Sequence, residues 1–124
     1  MALKLRPKRF GPVSVLFAPE GPVRFVSGEG AEPLPHPPYD KPVLTLMASV
    51  AHCLVESLRI VAKREDVALP AYAIKVTAEK SLDAPGRIES MVCRIEGELP
   101  EEMLREAKSI CTVSNTLNCK ITLE

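Results

Sequence analysis

The segment from Pro42 to about Asp66, PVLTLMASVAHCLVESLRIVAKRED, limits the folds open to this chain more than any other feature. It is rich in good helix formers and contains no glycine. Its opening proline suits a first helical turn, where a missing N–H costs nothing, and Asp40 stands two residues earlier. The pattern predicts a helix of about six to seven turns at 3.6 residues each. At about 100° per residue, Leu46, Val50, Cys53, Ser57, Ile60 and Val61 share one stripe, and Thr45, Ser49, His52, Glu56, Arg59 and Lys63 share a flank. The first half is apolar on most sides, so other elements or a second subunit must enclose it. The charged end from Arg59 to Asp66 should reach solvent.

The flanking sequence supplies strands. Nine of the twelve prolines lie between Pro7 and Pro42, which predicts edge strands and loops there rather than an interior strand. Val13 to Ala18 and Val23 to Ser27 are β-rich runs on either side of the turn signal Pro19-Glu20-Gly21-Pro22, and read as a hairpin. Gly28 to Pro38, GEGAEPLPHPP, should be a partly extended loop able to wrap over a neighbour or a site. After the helix, Tyr72, Ile74 and Val76 alternate with Ala73, Lys75 and Thr77, as in a strand with one buried face. Arg87 to Glu98 should pair with it through the turn Asp83-Ala84-Pro85-Gly86. Pro100 then opens a shorter helix to about Ile110, with Met103, Leu104, Ala107 and Ile110 facing a core and Glu101 and Glu102 at the N-terminal dipole. Asn118 to Leu123 reads as a last strand on which Cys119 alternates with Ile121 and Leu123. The fold class is α+β, and at 124 residues with 46% hydrophobic content the chain is expected to be one domain, 1–124.

Charge narrows the partners. Sixteen basic and sixteen acidic side chains cancel, so no long-range field would gather nucleic acid or an anionic membrane, and neither is an expected partner. Lys4, Arg6, Lys8 and Arg9 interrupt the apolar residues at the N-terminus, which argues against a secretory signal, and no apolar run is expected to span a bilayer. A cytoplasmic location follows as the expectation. Reducing conditions there argue against a structural disulfide framework among Cys53, Cys93, Cys111 and Cys119, and the absence of a CxxC pair argues against zinc. No metal or cofactor is expected.

Each cysteine has an ordinary explanation as a small buried hydrophobe. Cys53 lies about three turns inside its helix and gains nothing from the helix N-terminus. His52 points about 100° away from it and is better placed to pair with Glu56 at i+4. Cys93 and Cys119 read as strand core. Cys111 falls where the last helix should end, before residues suited to a turn or to capping a short helix.

The order of elements, together with the segments ASVAHCLVESLRIVAKRE and AKSICTVSNTLNCKITL, resembles the OsmC/Ohr family of bacterial peroxide-reducing proteins. The likeness covers most of the chain from Val43 onward. In that family a cysteine on the long central helix, preceded by small residues, is the peroxidatic thiol, and a cysteine in a segment like C-P-x-S-x-T-L is its partner. Cys53 matches the first and Cys111 the second, with Ser114, Thr116 and Leu117 in the later positions. The resemblance implies an intertwined homodimer with its sites at the subunit interface. It also implies reduction of organic hydroperoxides at Cys53, resolution by Cys111, and an external dithiol as reductant.

The sequence departs from the family pattern in two places. Val43 stands where the family has a glutamate ten residues before the reactive cysteine, and Thr112 replaces the proline after the second cysteine. The arginine that supports the thiolate is expected to be Arg24, with Arg9 as the next choice; Lys41 could also lower the Cys53 pKa. The missing glutamate favours a second reading, a dimeric binding or redox-sensing module of the same fold without turnover. A third reading treats both cysteines as packing residues.

Overall fold

The structure is a computed structural model and describes residues 8–83 and 86–124. Lys4 and Arg6 of the N-terminal expectation, and Ala84 and Pro85 of the expected turn, lie outside the described residues. The elements run β1 (Arg9–Phe17), β2 (Arg24–Ser27), α1 (Pro42–Glu65), β3 (Tyr72–Lys80), β4 (Ile88–Glu96), α2 (Glu101–Ile110), α3 (Thr112–Thr116) and β5 (Lys120–Leu123). The strands form one sheet in the order β2-β1-β3-β4-β5, antiparallel except for the parallel pair β4–β5. A parallel neighbour needs a crossover connection, and α2 and α3 supply it.

Both hairpins read from the sequence are present, but β1 is an interior strand rather than an edge strand. The chain places Pro12 where a ladder donor is not needed: the β1–β3 register shifts between Phe10 and Val13, and the Pro12 carbonyl accepts from the Gly28 amide at 2.9 Å. Gly11, beside it at φ +97°, is fixed by space as well as by backbone. A Cβ there would stand 2.8 Å from the Val76 carbonyl and 2.9 Å from Met47 Cε. The proline-rich loop doubles back on β2, where Phe25 and Leu34 exchange two backbone hydrogen bonds of 2.8 Å.

α1 has Pro42 in its first turn and ends at Asp66, which takes the left-handed conformation while its amide turns back to the last carbonyls. The Thr45 hydroxyl, with one proton to give, has the Lys41 and Pro38 carbonyls as alternative acceptors and ties the loop to the first turn. By length and composition α1 is long and apolar enough to cross a membrane, contrary to the expectation that no such run exists. Its buried residues make it the core helix of this fold. Met47, Val50, Leu54, Val55, Leu58 and Val61 are covered by the sheet and by α2 and α3. The buried stripe is rotated from the one expected: Val50, Ser57 and Val61 lie on it, whereas Leu46 and Ile60 are exposed. A helix that is apolar on most sides does not show in its own pattern which side a sheet will take.

The sheet's inner face completes the core. Val13, Val76, Cys93 and Leu123 stand side by side across β1, β3, β4 and β5, and Val15, Ile74 and Phe25 share another row. The outer face carries ion pairs, including Arg94 with Glu124 at 3.1 Å and Lys75 with Glu29 at 2.7 Å. Of the two readings open after Cys111, a turn or a short helix, the structure takes the helix. Cys111 ends α2 and begins α3, so the run after it is a short helix, and Cys119 falls just before β5 rather than within it.

Candidate functional site

The site is built where α1 meets the α2–α3 junction. Cys53, midway along α1, is half-buried, and Cys111 is fully buried in the extended residue between the two short helices. The two thiols are free, and Cys53 stands near enough to Cys111 to raise its pKa. Fifty-seven residues of chain lie between them. Packing of α1 against α2 and α3 brings them together.

The environment of Cys111 is mixed. Burial pushes its thiol pKa up, as does the neighbouring Cys53 thiol, whereas the Ser114 hydroxyl and amide pull it down. The Cys111 side chain makes no capping hydrogen bond at the start of α3. Cys93 lies on the inner face of β4 near both Cys111 and Cys119, and burial pushes its thiol up to about 12. Cys119 is half-buried, and burial raises its thiol too, against the pull of Arg87. Three of the four thiols are therefore biased toward the neutral form. Below Cys53, the Ser57 hydroxyl donates to the Cys53 carbonyl at 2.8 Å, which satisfies a buried serine inside the helix.

Of the predicted site residues, the fold brings together Cys53 and Cys111 and leaves the arginines elsewhere. The Phe25 ring meets His52 on the helix side, so Arg24, its neighbour in β2, projects from the opposite face of the strand and is exposed. Arg9 pairs with Glu79 at 3.1 Å. It also lines a cleft of about 410 Å³ with Asp40, Lys41 and Val43 at the start of α1. Val43 precedes Cys53 by ten residues, about 15 Å along the helix at 1.5 Å per residue. Within one chain, neither Val43 nor the Arg9 cleft adjoins the thiols. His52 pairs with Glu56 at 3.6 Å, as its spacing implied, and takes no part in the thiol pair. Ser114 is the residue whose role the sequence left open; its place three residues after a helix-opening cysteine was the available signal. Among the described residues, no group of three or more His, Cys, Asp or Glu is placed to hold a metal ion.

A long helix laid across a five-stranded sheet, with its mid-helix thiol against a second thiol at a helix junction, defines an α+β protein with a built dithiol centre. The family model described as OsmC-like protein matches residues 39–124, and the chain belongs to that family. No curated protein sequence matches it significantly. Among solved structures, it is similar to an OsmC-like protein from Mycoplasma pneumoniae (TM-score 0.59, 13% identity, covering 98% of this chain and 96% of that one). It is also similar to an organic hydroperoxide resistance protein from Legionella pneumophila (TM-score 0.56, 13% identity, 93% and 97% covered). A third is the organic hydroperoxide resistance protein OhrB of Bacillus subtilis (TM-score 0.52, 19% identity, 97% of each chain covered). At these identities the likeness is one of fold.

Proposed function

We propose that this protein is a thiol peroxidase for organic hydroperoxides, with Cys53 as nucleophile and Cys111 as resolving thiol. The observation that carries the reading is the proximity of the half-buried Cys53 thiol to the buried Cys111 thiol where α1 packs on the α2–α3 junction. The Cys53 thiolate attacks the distal peroxide oxygen. The O–O bond breaks, the alkoxide takes a proton and leaves as an alcohol, and Cys53 becomes a sulfenic acid. Cys111 sulfur then attacks Cys53 sulfur. An S–S bond forms, the S–O bond breaks, and the Cys111 proton leaves with the hydroxide as water. An external dithiol returns both thiols by exchange, which suits a reducing compartment such as the cytoplasm. The resistance named for the Legionella and Bacillus neighbours supports organic hydroperoxides as the substrate class.

A homodimer belongs to this reading. Leu46 and Ile60 are exposed on α1, and Val43 and Leu44 are only half-buried, so the central helix retains apolar surface for a second copy to cover. Val43 in place of the family's glutamate and the outward placement of Arg24 favour one alternative, a dimeric binding or redox-sensing module in which the thiols pair without turnover.

Consumption of cumene hydroperoxide by the reduced protein with a dithiol reductant separates the two. The peroxidase reading expects multiple turnovers and a Cys53–Cys111 disulfide on peptide mapping, both abolished by Cys53→Ser. A single disulfide without turnover selects the sensing module. Free thiols after a peroxide pulse, or unchanged consumption by Cys53→Ser, overturn the peroxidase reading.

A further inference from the structure

The α3 segment holds more chemistry than a connection between α2 and β5 requires. Cys111 is its first flanking residue, and Ser114 stands three positions on, the place from which a backbone amide reaches back to a cap side chain. Ser114 is buried, although serine has no hydrophobic reason to be. Its hydroxyl donates to the Cys111 carbonyl oxygen at 3.2 Å, and both its hydroxyl and its amide favour the charged form of the Cys111 thiol. A hydroxyl has one proton to give and here two acceptors for it. While the thiol is neutral, the carbonyl is the better acceptor. Once the sulfur is anionic, it becomes the better one, because a hydrogen bond to a charged acceptor is roughly twice as strong. A short rotation of Ser114 therefore favours the charged form of a thiol that burial otherwise keeps protonated.

We propose that Ser114 is a positioning residue that switches its hydroxyl from the Cys111 carbonyl to the Cys111 sulfur as that thiol ionises, and so sets the rate at which Cys111 closes the disulfide with Cys53. The inference rests on the Cys53–Cys111 pairing and assigns to it a regulator of the second chemical step. The other groups facing Cys111 are Cys53 from α1 and Cys93 from β4; Lys108 of α2 acts on Cys93, as does Cys119 before β5. Ser114 is the donor among the groups acting on Cys111, since the thiols disfavour its charge. A cysteine resolving a sulfenic acid reacts as thiolate, so its rate follows the thiolate fraction until the pH exceeds its pKa.

The test follows disulfide closure in the full-length protein across pH. Cys53 is oxidised by a stoichiometric cumene hydroperoxide pulse, with dimedone to trap open sulfenic acid. In a parallel arm Cys53 is activated by diamide, which needs no peroxidase activity. Ser114→Ala is expected to slow closure about tenfold below the midpoint and to raise that midpoint by about one pH unit, since one pKa unit is a tenfold change in thiolate fraction. Ser114→Thr should restore both. If Ser114→Ala fails to fold, Ser114→Thr and Ser114→Val, equal in bulk and different in the hydroxyl, give the same comparison. Closure in Ser114→Ala or Ser114→Val with the wild-type rate and midpoint overturns the proposal. Wild-type thiols left free by peroxide overturn the peroxidase reading alone, because the diamide arm still reports what Ser114 does.

Discussion

His52 and Cys53 are neighbours in sequence and, about 100° apart on α1, serve different sides of it. The His52 ring packs edge-on against Phe25 of β2, with centroids 5.5 Å apart, and reaches Glu56. The Cys53 thiol faces Cys111 at the α2–α3 junction. The helix therefore separates an aromatic and charged flank from a thiol flank. Arg59, which reaches Glu56 and lies 5.0 Å over the Phe17 ring, extends the first of these.

His52 is consequently no general base for Cys53. His52→Ala should leave the pH profile of Cys53 alkylation where it is in the wild type, while it removes one ring contact to Phe25. A downward or upward move of that profile on substitution would show that the imidazole acts on the thiol.

The rotated stripe of α1 gives a second expectation. Leu58 is 1% exposed and enclosed by the core, whereas Ile60, two residues on, is 47% exposed. Leu58→Ala should lower unfolding stability by about 2–5 kcal/mol through lost burial and the cavity left behind. Ile60→Ala should change it by no more than about 0.5 kcal/mol in the isolated chain, as surface substitutions do, and should weaken self-association if the exposed side of α1 is covered by a second copy. Denaturant midpoints together with concentration-dependent sedimentation check both. Equal losses for the two variants would show that the helix is seated differently.

The elements were legible in the sequence because each has its own period: the 3.6-residue helix after Pro42, and the alternation of Tyr72, Ile74 and Val76 that the structure buries as expected. What local pattern could not carry was the relation between elements. The α1 stripe was misplaced because several of its sides are apolar. The interior position of β1 was hidden because proline density argued for an edge, and only pairing on both sides of a local bulge shows how Pro12 is accommodated. Cys53 and Cys111 were singled out by resemblance to the family, and tertiary packing brings them together. Arg24 was selected by position in the chain, but the sign of a strand's alternation, which decides its face, requires the register with Val15 and Leu16.

Gly11 offers a sharper test of the β1 bulge. At φ +97°, with the Val76 carbonyl 2.8 Å from where a Cβ would stand, Gly11→Ala meets both backbone strain and a clash with a main-chain atom that cannot swing away. A loss of about 1–3 kcal/mol is expected, of the order held by a residue forced into a sparsely populated conformation. Chemical denaturation at constant pH measures it. A stability equal to wild type would mean that the bulge relaxes and that β1 does not need this register.

The thiol core also predicts how stability responds to alkali. Burial pushes Cys93 up to about 12 in the folded protein, against about 8.5 for a free cysteine, so above the unfolded value the unfolded chain binds fewer protons than the native one. Stability is then fully present below the unfolded pKa and is lost as pH rises toward the folded one. The raised pKa values of Cys111 and Cys119 act with the same sign. Unfolding midpoints in denaturant should hold steady between pH 7 and 8 and fall progressively from pH 9 to 11. Cys93→Ala should start from a lower stability at pH 8, because it leaves space beside Val76 and Leu123, yet show a shallower fall with pH because one buried thiol no longer resists ionisation. Reagents that read thiolate should follow the same order, with Cys93 the last to react in the native protein at pH 8. An alkaline slope in Cys93→Ala as steep as in the wild type would place the titration that destabilises the fold on groups other than this thiol.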